Sequence, residues 1–141
     1  MSVVFHQTIP VTLKKRKQLK SFIHDIFYKE GKRLEILNII FCSDNYLLGM
    51  NQQHLKHNFY TDIITFDLSE STNAPIIAEL YISIDRVRDN SKSHKTTFSN
   101  ELHRVIFHGV LHLCGYKDKK LADIKNIRKK EDSCLNNYLD N

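Results

Sequence analysis

The chain has 141 residues, 41% apolar and 26% charged, which is the balance of a globular domain with one ordinary core. No run approaches the roughly 18 apolar residues of a membrane-spanning helix, and three cysteines without a C-x-x-C pair argue against a disulfide framework or a thiolate zinc knuckle. Lys and Arg number 21 against 16 Asp and Glu, and the net charge of +5 leans toward a polyanionic partner such as RNA.

The N-terminus, "MSVVFHQTIPVTLKKRKQLK", carries its charge after a short apolar piece. That is the reverse of a secretory signal, so a cytoplasmic location is expected. "SVVFHQ" reads as a first strand. With Thr12 as N-cap, Leu19, Phe22, Ile23, Ile26 and Phe27 recur at helical spacing and predict a helix ending near Gly31. "RLEILNIIFCS" (Arg33 to Ser43) is rich in branched residues and predicts a strand, followed by a short helix after Ser43. "TDIITFDL" (Thr61 to Leu68) predicts another strand, and "SESTNAP" a turn. In "IIAELYISI" Ile76, Ala78, Leu80, Ile82 and Ile84 face one way, against Glu79, Tyr81 and Ser83, the period of a strand with one better-buried face. Three helices follow: "DRVRDNSK", "FSNELHRVIFHGVLHLCG", and a last one from about Lys120 to Leu139. This order predicts an α+β fold in a single domain over residues 1–141, a mixed β-sheet of about four strands with about five helices packed on it.

The chemistry concentrates in "HGVLHLCGYKD", His108 to Asp118. His108 and His112 lie one helical turn apart, so both rings project from nearly one face and can reach one metal ion, as on the metal helix of a zincin. The pair alone is a weak signal, since 8 histidines in 141 positions give about half such a pair by chance. Gly115 is a natural helix stop that lets "YKD" return Asp118 toward the same point. Two imidazoles and a carboxylate leave a fourth position open, the mark of a catalytic rather than a structural zinc. Cys114 points away from His112. Gly109 stands where a zinc protease carries its glutamate (H-E-x-x-H), so no built-in base is present. Two readings of Gly109 are equally weighted: close approach of substrate to the metal, and tight helix-to-sheet packing.

"FSNELHRVIFHGVLHLCGYKD" resembles the signature of the YbeY family of rRNA maturation factors, zinc-dependent endoribonucleases whose motif reads H-G-x-L-H-L-x-G-Y-D-H. "TDIITF" is similar to that family's T-D-V-L-S-F strand, and "AELYISIDRVRDN" to its G-D-I-x-I-S segment. The three segments stand in the family's order over about Asn38 to Leu135. The resemblance implies one Zn²⁺ held by His108, His112 and Asp118, with zinc-bound water as the nucleophile and no base residue assigned. It also implies single-strand-specific cleavage of RNA in rRNA processing (16S rRNA 3′ end maturation) and ribosome quality control. Ribosomal RNA and the small ribosomal subunit are the implied partners.

The sequence departs from the family twice. Its third ligand is usually the histidine of "GYDH", whereas "GYKDK" places Lys117 at the aspartate and Asp118 at the histidine. A carboxylate there brings charge, lowers the metal's Lewis acidity and raises the pKa of its water. An arginine commonly precedes the T-D-V-L-S-F strand, and that position is Leu55 here. Lys56, His57 and Thr61 are the substitute candidates for substrate binding, with His54 beside them; a solvated polar loop is the plain alternative. Glu79 and Asp62 are carboxylates at the strands that could serve as a base. "KKRKQLK" and "KDKKLADIKNIRKKEDS" are basic runs, the second better placed for RNA because it follows the metal motif. Two other functions stay open: a zinc-dependent peptidase or amidase, and a non-catalytic ribosome-assembly factor with a structural metal.

Overall fold

The computed structural model describes residues 2–139. Along the chain come β1 (Val3–Gln7), α1 (Arg16–Lys29), β2 (Leu34–Cys42), α2 (Asp44–His54), β3 (Ile63–Asp67), β4 (Ile76–Ser83), α3 (Ile84–Ser93), α4 (Phe98–Leu113) and α5 (Leu121–Leu139). The strands form one mixed sheet in the order β1-β2-β4-β3, with β1, β2 and β4 parallel and β3 antiparallel on the edge. This is the four-stranded, five-helix α+β arrangement predicted from the sequence. Among the described residues no helix is long and apolar enough to cross a membrane.

The alternation read in β4 sets the layers. Ile76, Ala78, Leu80 and Ile82 join the main core, which Leu19, Ile23 and Phe27 of α1 and Leu102, Ile106, Phe107 and Val110 of α4 complete. Each such fully buried side chain stabilises the fold by about 1.5–3 kcal/mol. On the opposite face, Leu47 of α2 packs with Cys42 and Ile64, against Met50, Phe66 and Tyr81. Buried Cys42, Cys114 and half-buried Cys134 are free thiols.

Gly109 owes its place to packing: an added Cβ would lie 2.7 Å from Ile63 Cδ1 and 2.9 Å from the methyls of Leu80. α4 therefore sits directly on β3 and β4 at this point, and of the two readings of this glycine the helix-to-sheet contact is the one realised.

Helix starts follow hydroxyl caps with one correction. Ser43, Ser83 and Thr97 accept from the backbone N–H of Tyr46, Arg86 and Asn100, opening α2, α3 and α4. Thr12 does not open α1. That helix begins at Arg16 after Lys15, whose φ of 56° turns the chain without a side-chain cap. The helical stripe starts only at Leu19; Leu13 reaches the core too, but from the irregular stretch before the helix.

Candidate metal centre

α4 ends in a turn that builds half of the site. Gly115, at φ 104°, lets its own N–H bond His112 O and the N–H of Tyr116 bond Leu111 O, the paired bonds of a Schellman cap. The same turn aims Tyr116 O back at the helix, where it accepts from His112 Nδ1 at 2.9 Å. Two residues later Asp118 returns over the end of α4.

The other histidine is oriented from α5. Glu131, only 4% exposed, accepts from His108 Nδ1 at 2.5 Å and from Arg104 Nη1 at 3.0 Å. Arg104 reaches Asp132 as well, at 2.6 Å. A carboxylate and a carbonyl can only accept, so both histidines carry their protons on Nδ1. Both Nε2 lone pairs then face the same point: they lie 2.9 Å apart, with Asp118 Oδ2 at 3.2 Å from His112 Nε2 and 3.5 Å from His108 Nε2. Three acceptors converging on one point repel one another unless a proton or a metal cation sits among them. Their spacing approaches the roughly 3.3 Å edge of a tetrahedron with bonds of about 2.0–2.1 Å, so the donor set fits a divalent metal. His108, His112 and Asp118 form the cluster that the sequence spacing predicted.

Electrostatics reinforce the arrangement. Burial pulls the His108 pKa down, but the hydrogen bond and charge of Glu131, with Asp118 and Asp62 further off, overcome it, and the ring titrates above its ordinary value. Such a ring is more basic toward a metal as well as toward a proton. Burial pushes the Cys114 thiol up to about 12, so it offers no thiolate to this site.

His108 and Asp118 open onto a cavity of about 540 Å³, also lined by Asp62, Glu101, Arg104 and Arg128. His112 borders a second recess with Arg33 and Asn73. The ligand cluster thus stands where two depressions meet. Of the two carboxylates considered as a base, Asp62 faces the cavity, and its burial raises its pKa despite the opposing pull of His108. Glu79 accepts from Tyr81 Oη at 3.1 Å on the sheet face away from α4. Lys56, His57 and Thr61 are not among the cavity's lining residues; they belong to the loop entering β3. Glu131 and Arg104 were not singled out in the sequence. Glu131 is 23 residues from His108, and only the crossing of α5 over α4 joins them.

A two-histidine helix with a carboxylate beyond its cap, on a mixed sheet, is the arrangement of a candidate metal-binding protein. The family model described as Endoribonuclease YbeY matches residues 5–139, and the chain belongs to that family. It is 46% identical to "Endoribonuclease YbeY" of Cytophaga hutchinsonii over 93% of this chain and 91% of that one. The Flavobacterium psychrophilum relative of the same name is 43% identical over 94% of both, and that of Karelsulcia muelleri 48% identical over 81% of this chain and 79% of its own. The solution structure of a Thermotoga maritima protein superposes with a TM-score of 0.65 at 27% identity, covering 95% of this chain and 87% of that one.

Proposed function

We propose that the chain is a single-strand-specific metallo-endoribonuclease of rRNA processing, holding one Zn²⁺ through His108, His112 and Asp118. The observation that carries the metal is the meeting of two Nε2 lone pairs and a carboxylate oxygen within 3.5 Å, each histidine locked by an acceptor on its far nitrogen. The family supplies the RNA substrate. A divalent ion at this point supplies Lewis acidity, lowering the pKa of water and polarising a phosphoryl oxygen.

The residues of the chain hold and shape the rest. Glu131 and Tyr116 O fix the ring planes, and Arg104 keeps Glu131 in place. Arg128 lines the same cavity with a guanidinium that has no ion pair among the described residues, suited to a passing phosphate. Lys56, His57 and Thr61 are assigned to substrate on the approach to β3. In this reading the protein works in the cytoplasm on 16S rRNA 3′ end maturation and ribosome quality control, with the small ribosomal subunit as partner. A peptidase fits less well, because Gly109 replaces the base and is needed for packing. A structural metal fits less well, because the cluster offers three ligands rather than four.

His112→Ala tests the proposal, with elemental analysis of the purified protein beside cleavage of a single-stranded oligoribonucleotide. Metal content and cleavage are expected to fall together, cleavage by more than about a hundredfold. Undiminished cleavage by a metal-free variant refutes it.

A further inference from the structure

The loop between α2 and β3 turns partly exposed aromatic rings toward solvent. Phe59 is 56% exposed and Tyr60 48% exposed. The His57 ring lies against Phe59 with centroids 5.0 Å apart and planes 20° from parallel. Arg86, itself paired to Asp44, places its guanidinium 5.0 Å from the centre of the Tyr60 ring.

This display is built rather than incidental. Asn51, 1% exposed, donates through Nδ2 to Phe59 O at 2.9 Å, while its backbone carbonyl accepts from the N–H of Leu55 and of His57. A buried amide side chain is thereby committed to shaping the loop that holds three rings toward solvent. Lys56 turns the chain at φ 56°, within the segment so clamped. From Asn45 to Thr61 there is no acidic residue, and Lys56 brings positive charge; that of Arg86 is offset by Asp44. Phe59 is three residues from Asp62, so the platform lies within roughly 10 Å of chain from a residue lining the metal cavity.

We propose that His57, Phe59 and Tyr60 form a stacking platform for the unpaired bases of single-stranded RNA beside the scissile phosphate. Charge and chemistry select the occupant: exposed aromatic rings beside Lys56, on a loop without an acidic residue between Asp44 and Asp62, suit a polyanion with planar bases. Because every base has a π-face, such stacking tolerates sequence and rejects paired strands. This rests on the endoribonuclease reading.

The test is binding without turnover. A short single-stranded oligoribonucleotide with a non-hydrolysable linkage at the cut position is titrated against full-length protein and Phe59→Ala, Tyr60→Ala and Phe59→Trp. The same titration is run with two abasic sites flanking that linkage. Affinity is expected to fall about tenfold for each alanine variant, to be retained by Phe59→Trp, and to fall for the unmodified protein on the abasic strand while the Phe59→Ala variant hardly distinguishes the two strands. Equal affinity of Phe59→Ala and unmodified protein, in a preparation that cleaves RNA, overturns the platform and leaves the enzyme standing. A preparation that neither binds nor cleaves RNA overturns both. A dimer that Phe59→Ala converts to monomer, with RNA affinity unchanged, assigns the surface to a second copy and also overturns the platform.

Discussion

His103 and His108 stand five residues apart on α4 and do opposite things. His103 is 5% exposed, bonds Ser99 O through Nδ1 at 2.6 Å, and packs its ring against Phe107 and Tyr138. Burial, only partly offset by the Ser99 bond, holds its pKa below the ordinary value. His108 also has its Nδ1 satisfied, but by the Glu131 carboxylate, and its Nε2 faces another histidine and an aspartate at a cavity. The difference lies in the partner on the far nitrogen and in what the near nitrogen meets. Acceptors in front of the ring prepare His108 for a cation, as they do His112 with a carbonyl behind it, whereas aromatic rings around His103 make it a core residue.

The largest expected break of this contrast is His108→Ala, which removes a ligand and leaves Glu131 with Arg104 alone. Metal affinity should fall by more than about a hundredfold, exceeding the roughly 10–100-fold typical of an outer partner, as measured by competition with a chromophoric chelator. His103→Phe in the same assay should leave affinity unchanged.

Glu131→Gln comes next. The amide keeps the shape and can still accept from His108, but the charge behind the ring is gone, so affinity should drop about 10–100-fold while the fold persists by circular dichroism. Equal affinity would make Glu131 a stability residue of the α4–α5 contact and nothing more.

Asp118→His sharpens the chemistry. A neutral third ligand leaves more positive charge on the metal, so the acid limb of the cleavage pH profile should move to lower pH. No movement would place the titrating group elsewhere in the cavity.

The smallest effect is on stability in metal-free protein, where the two histidines have opposite signs. The unfolded chain protonates His103 near 6.5 and the folded chain only below that, so stability is lost as pH falls through 6.5 toward the folded value. His108 binds its proton more tightly when folded; its contribution is complete below 6.5 and is lost as pH rises through the raised value. His103→Phe should therefore raise the unfolding midpoint relative to the parent chain more at pH 5.5 than at pH 8, and an unchanged gap would contradict the burial assigned to His103.

The sequence made the candidate cluster legible because its members are local. His108 and His112 are fixed by helix period alone, and Gly115 announces the turn that brings Asp118 back. The β4 alternation likewise read out which face joins the main core. What stayed hidden depends on crossings between distant segments. Glu131 reaches His108 only because α5 lies along α4, and nothing at position 131 marks it among seven other charged residues from Lys120 to Asp132. Thr12 misled as a cap because a hydroxyl before a basic run says little when the buried stripe begins later.

Cobalt(II) titration of the metal-free protein reads directly whether His108, His112 and Asp118 surround one divalent ion. One equivalent should produce an intense visible spectrum of low-coordinate cobalt that zinc displaces, and Asp118→Ala should weaken it. A featureless titration with no saturation at one equivalent would contradict the account.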